Sequence, residues 1–193
     1  MENVILSLAF KYGIPIQKII STNELGLDFQ TSIGESVDGK KWILRVPRRK
    51  NIFSQIQKEQ GHLNFLKSKV SFDVPDWKVV NPELIAYPLL TDKPALEVNP
   101  ATQEFIWNVD LESYKYSQSL GLVLYELHQL TQEAHDFGLP LRTPEKIRKE
   151  LLDEIDLVKT QLGLSNHLEE KWRTWIDDDT YWPSFSTIIH GDL

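Results

Sequence analysis

FQTSIGESVDGKKWILRV, residues 29–46, holds two β-rich runs on either side of an Asp-Gly pair. The first run alternates apolar and polar side chains as far as Val37; the second, KKWILRV (40–46), is rich in β-formers. Asp38-Gly39 between such runs is a strong hairpin signal, because a tight turn needs residues that accept positive φ. A hairpin here predicts an antiparallel sheet, and the flanking sequence says what surrounds it.

Toward the amino terminus, residues 3–12 repeat apolar side chains at helical spacing and stop at Gly13 and Pro15. IQKII and a turn-rich STNELGLD follow, so one strand precedes the hairpin. Toward the carboxy terminus, residues 54–69 carry Ile56, Leu63 and Leu66 among polar residues and predict a helix. WKVV and LIAYPLL then flank a turn at NPE. The order over this part is strand, strand, strand, helix, strand, strand.

The aperiodic, proline-containing TDKPALEVNPA (91–101) marks a boundary, giving lobes at 1–91 and 92–193. The second lobe is mostly helical. Residues 113–130 place Tyr116, Leu120, Val123, Leu124, Leu127 and Leu130 on one stripe. Residues 143–162 begin with a Thr143 cap and Pro144 at the first helical position, and 166–179 open with Asn166 and Glu169 at capping-box spacing. FSTII (185–189) predicts a buried strand running into His190, Gly191, Asp192 and Leu193. The six tryptophans read as mainly core and lobe-interface material.

Composition narrows the function classes. A net charge of −7 argues against a general nucleic-acid binder, although RVPRRK (45–50) is a local basic patch. With no cysteine, disulfides and thiolate chemistry are excluded and a reducing cytoplasm is permitted. No run approaches the roughly 20 apolar residues of a membrane span, and the first residues lack the pattern of a signal peptide. A cytoplasmic monomer without nucleic-acid or membrane partners is expected. The histidines at 62, 128, 135 and 167 show no zinc spacing, and Asp177–Asp179 reads as a solvated turn.

A small antiparallel lobe with one main helix, followed by a helical lobe containing His-x-Asp, is the order of an α+β, protein kinase-like fold. NELGLDF, WILRVPRR, VPDW, AYPLL and WPSFSTIIHGDL together resemble the macrolide 2′-phosphotransferases, within the wider aminoglycoside phosphotransferase-like family of small-molecule kinases. The likeness runs from about residue 14 to the last residue, and family members continue beyond it. The helical lobe is therefore expected to be incomplete and the chain an amino-terminal fragment.

The resemblance assigns roles. Asp192 would accept the hydrogen bond of an acceptor hydroxyl and take its proton, with His190 bracing the loop. Gly191 stands where regulated protein kinases carry arginine, which implies no switching by loop phosphorylation. Arg45, mid-strand, occupies the place of the kinase lysine, and Glu59, fourteen residues on in the helix, that of its acidic partner. Arginine brings a planar fork where lysine brings a point charge. Gly26 is the single glycine of the loop expected over the phosphates; a plain hairpin turn is the competing reading. Tyr87, Leu89 and Leu90 lie where a nucleotide base would meet the linker backbone, and would suit a core strand as well.

GTP, with ATP as the alternative, and Mg²⁺ are the implied cofactors, and the magnesium ligands are expected beyond Leu193. A macrolide is the implied substrate and its 2′-hydroxyl the acceptor. The parent enzyme would thus confer antibiotic resistance, and the 193-residue chain alone would be inactive. The alternatives are another alcohol kinase, such as an aminoglycoside phosphotransferase, and a catalytically inactive nucleotide-binding remnant.

Overall fold

The computed structural model describes residues 2–24, 26–99, 102, 104–139 and 142–188. Backbone contacts divide the chain into two compact units, Met1–Val123 and Leu124–Leu193. The boundary expected at residue 91 lies within the first unit, just before a small hairpin.

The first unit is built on a five-stranded antiparallel sheet in the order β1-β2-β3-β5-β4. Its strands are β1 (Ile16–Asn23), β2 (Phe29–Ser36), β3 (Lys41–Pro47), β4 (Val79–Val80) and β5 (Ile85–Pro88), with α1 (Glu2–Lys11) before them and α2 (Phe53–Lys67) between β3 and β4. The Asp-Gly hairpin is present. Gly39 has φ +80°, and Ser36 donates to the Asp38 carboxylate, which also pairs with Lys40. The β4–β5 turn is closed by Asn81, whose side-chain oxygen accepts from the N–H groups of Glu83 and Leu84, both at 2.9 Å.

Strand alternation distributes side chains to two cores. Leu44, Leu84 and Ala86 pack with Ile5 and Ala9 of α1, and Trp42 covers the edge. Phe29 and Ile85 pack with Ile52 and Ile56 beside α2, covered by Phe53, Trp77, Val80 and Tyr87. α1 is tied down at its end, where Lys11 and the Tyr12 hydroxyl both reach the Glu83 carboxylate. The Lys11 cation and the Tyr12 hydroxyl, both donors, hold that carboxyl below its ordinary range. A second hairpin, β6 (Leu96–Val98) and β7 (Phe105–Trp107), is exposed along its length.

α3 (Tyr114–Gln129) buries its apolar stripe most fully at Leu127, and Leu130 just beyond it is buried as well. The second unit continues with α4 (Thr131–Asp136), α5 (Pro144–Leu162) and α6 (Asn166–Asp177). Thr143 caps α5 as its sequence predicts, its side chain accepting from the Lys146 N–H. α6 is capped one residue earlier than expected. Ser165 accepts from the Leu168 N–H, which frees Glu169 to take Lys159 and Arg173. Asp178 caps a short 3₁₀ turn at Asp179–Tyr181, and Asp179 pairs with Arg148 at 2.7 Å, while all three aspartates of the run stay exposed, as a solvated turn requires.

Two expectations fail. Residues 185–188 form no strand, and Phe185 is 68% exposed. An apolar run becomes a strand only where a ladder partner exists; here Ile188 N–H donates instead to the Thr131 hydroxyl at 3.2 Å. Nor are the tryptophans mainly core, since Trp107, Trp172 and Trp175 are exposed and Trp42, Trp77 and Trp182 are half-buried. No helix among the described residues is long and apolar enough to cross a membrane.

Candidate functional site

β3 places Arg45 on the α2 face of the sheet because Leu44, its neighbour, is committed to the α1 face. From there Arg45 Nη1 donates to Glu59 Oε1 at 2.7 Å and Nη2 to Glu59 Oε2 at 3.4 Å. The ion pair that the resemblance implies is therefore a two-pronged one. Its arginine is nearly buried, with 17% of its side chain exposed. The guanidinium carbon lies 4.2 Å from the Phe29 ring centre and 5.4 Å from that of Trp77. Trp77 in turn stacks on Tyr87, 6.3 Å between centres and 22° between planes. Burial pushes the Tyr87 phenol up, opposed by the nearby Arg45 charge.

Tyr87 thus belongs to the surroundings of Arg45. Leu89 and Leu90 do not share that position. They line a separate groove of about 420 Å³ with Lys67 at the end of α2 and residues of the α2–β4 connection, among them Phe72 and Asp76, and without Arg45 or Glu59. The Leu89 N–H is already given to the Lys41 carbonyl at 2.9 Å, so its amide is committed to the sheet.

The loop between β1 and β2 is held from the end of β3. Arg48 donates its backbone N–H to the Asp28 carbonyl and its Nη2 to the Glu24 carbonyl, both at 2.8 Å. Arg49 pairs with the Asp28 carboxylate at 3.2 Å. The basic patch RVPRRK is therefore occupied by internal partners at three of its arginines. Gly26 is required by close approach, because a Cβ there would stand 2.7 Å from the Phe29 carbonyl oxygen.

His190 and Asp192 lie outside the described residues. Among the described residues no group of three or more His, Cys, Asp or Glu side chains could hold a metal ion, so the implied magnesium gains no ligand set here. Sequence reading missed Phe29 and Trp77 as neighbours of Arg45. Nothing local marks them; the β2–β3 register and the approach to β4 bring them there.

The chemistry of this arrangement is that of a fixed cation. A guanidinium retains its charge throughout the physiological range, and here its plane and its fork are both constrained. Such a group can hold an anion such as a phosphate without reorganising.

A family model described as the phosphotransferase enzyme family matches residues 20–193. An uncharacterized protein of Bacillus subtilis (strain 168), YcbJ, is 38% identical, over 98% of this chain and 63% of its own length. Macrolide 2′-phosphotransferase type I superposes with a TM-score of 0.85 at 35% identity, over 99% of this chain and 64% of that one. The macrolide 2′-phosphotransferase MphH of Brachybacterium faecium, as apoenzyme, gives 0.82 at 34% identity, over 99% and 65%. At the level of fold alone, the GDP and kanamycin complex of APH(2″)-IIIa gives 0.70 at 18% identity, over 99% and 64%. The chain spans about 64% of the length of these solved relatives.

Proposed function

The chain belongs to the phosphotransferase enzyme family, and from that premise we propose that it is the nucleotide-holding part of a cytoplasmic kinase that phosphorylates the 2′-hydroxyl of a macrolide with GTP. The observation that carries this reading is the Arg45–Glu59 pair, a constrained cation on β3 answered by a carboxylate on α2. In this reading Arg45 meets the phosphates of the nucleotide, and the turn containing Gly26 lies over them.

Asp192 accepts the hydrogen bond of the acceptor hydroxyl. The new bond forms between the hydroxyl oxygen and the γ-phosphorus while the bond from that phosphorus to the β–γ bridging oxygen breaks. GDP departs with the bond's electrons, and the hydroxyl proton passes to the Asp192 carboxylate. Positioning and charge neutralisation dominate such a transfer, which suits one well-held carboxylate. A magnesium ion would neutralise the triphosphate when bound, and no residue described here is assigned to it.

The macrolide acceptor is supported by 35% and 34% identity to two macrolide 2′-phosphotransferases, against 18% for an aminoglycoside enzyme that shares the fold. The antibiotic loses activity because a phosphate adds charge and bulk at the modified hydroxyl. Two measurements test the reading. Calorimetry of the 193-residue chain with GTP and ATP is expected to show GTP bound more tightly. Fusion of the chain to the carboxy-terminal third of a macrolide phosphotransferase is expected to add one phosphoryl group to erythromycin and none to kanamycin, while the chain alone does neither. Absence of nucleotide binding, or transfer to kanamycin instead, would overturn it.

A further inference from the structure

Arginine at position 45 raises a question that the ion pair alone does not answer, since a lysine could also meet Glu59. The answer lies in the rings. Phe29, at the start of β2, is buried, and its ring centre stands 4.2 Å from the guanidinium carbon. Trp77, from the segment entering β4, approaches at 5.4 Å and is backed by the stacked Tyr87. A flat, delocalised cation can lie against aromatic faces while its edge donates to a carboxylate; an ammonium has no plane to offer.

We propose that Trp77 is a positioning residue for nucleotide binding, acting through Arg45: it fixes the plane of the guanidinium so that the donors left over from Glu59 face the phosphates. This rests on the kinase reading above. Trp77 touches no reacting atom. Its contribution is to hold in advance the orientation that Arg45 would otherwise have to adopt on binding.

Three elements contribute to the clamp: β2 delivers Phe29, β3 delivers Arg45, and the α2–β4 connection delivers Trp77. Glu59 constrains the fork and the rings constrain the plane, so two independent restraints act on one side chain. With Trp77 removed, the pair with Glu59 persists but the guanidinium can rotate out of register with a phosphate.

The test is a double-mutant cycle on GDP affinity, read by calorimetry on the 193-residue chain, with circular dichroism melts confirming that each variant folds. Trp77→Leu is expected to weaken GDP by about tenfold, and Trp77→Phe, which keeps a ring face, by less than about threefold. In an Arg45→Ala background, Trp77→Leu is expected to have no further effect. An equal loss in both backgrounds would show that Trp77 acts independently of Arg45 and would overturn the proposal. A wild-type chain that binds no GDP or GTP would overturn the kinase reading and this inference with it, whereas binding with an additive cycle would overturn the inference alone. A second readout is the NMR signal of the Arg45 side chain. It is expected to be displaced by ring currents in the wild type and in Trp77→Phe, and to return toward its ordinary position in Trp77→Leu; no movement would count against the clamp.

Discussion

Glu59 on α2 receives both Nη groups of Arg45 on β3, at 2.7 and 3.4 Å, and so ties the first long helix of the chain to the middle of its sheet. The carboxylate is 37% exposed and the arginine 17%, so the pair is only partly screened by water. Removing the acid leaves a nearly buried cation with two rings and no counter-charge.

Glu59→Ala is therefore expected to destabilise the chain by about 1–3 kcal/mol, between the values for surface and buried pairs. Urea denaturation followed by circular dichroism checks this. A loss below about 0.5 kcal/mol would place the pair among solvent-screened surface contacts.

The hairpin turn should be sensitive to acid. Hydrogen bonds from Lys40, and then from Ser36, hold the Asp38 carboxyl at about 2, below its ordinary 3.8. A carboxyl with a depressed folded value contributes stability above its ordinary value and loses it as pH falls through the folded one. Stability is thus expected to decline between about pH 4 and pH 2, and Asp38→Asn to remove Asp38's share of that decline. Urea midpoints measured across this range for both proteins decide it.

The start of α6 offers a test of capping register. Ser165, not Asn166, accepts the Leu168 N–H. Ser165→Ala should cost about 1 kcal/mol and Asn166→Ala less than about half of that. The opposite ranking in thermal melts would return the cap to Asn166.

Two glycines should respond in opposite directions to the same change. At Gly26 a new methyl would stand 2.7 Å from the Phe29 carbonyl oxygen, so Gly26→Ala must shift the loop. Faster hydrogen exchange at the Arg48 amide, which donates to Asp28 at 2.8 Å, would report that shift. Gly61 sits inside α2 with nothing within 4 Å of an added Cβ, so Gly61→Ala should stabilise the chain, by up to about 1 kcal/mol. A Gly26→Ala protein with unchanged exchange at Arg48 would refute the close-approach argument.

Local pattern alone was enough to place the element order of the first unit as far as β5, the Asp-Gly hairpin and the Thr143 cap. Each of these is written within a few turns or one strand of sequence, where side-chain periodicity and turn chemistry dominate. The pairing of Arg45 with Glu59 came instead from the resemblance to kinases, and the link over residues 48–52 between β3 and α2 brings the two side chains together.

What surrounds that pair was decided elsewhere in the chain. Phe29 and Trp77 reach Arg45 through strand register and loop path, which carry no local signature. Phe65 is buried in α2 without having stood out in the helix pattern, Trp172 and Trp175 are exposed despite their size, and residues 185–188 have the composition of a strand but give a hydrogen bond to Thr131 instead. The physical reason is common to all of them. Composition fixes what a side chain favours, but burial and ladder bonds need a partner, and distant segments supply that partner only once the chain has folded.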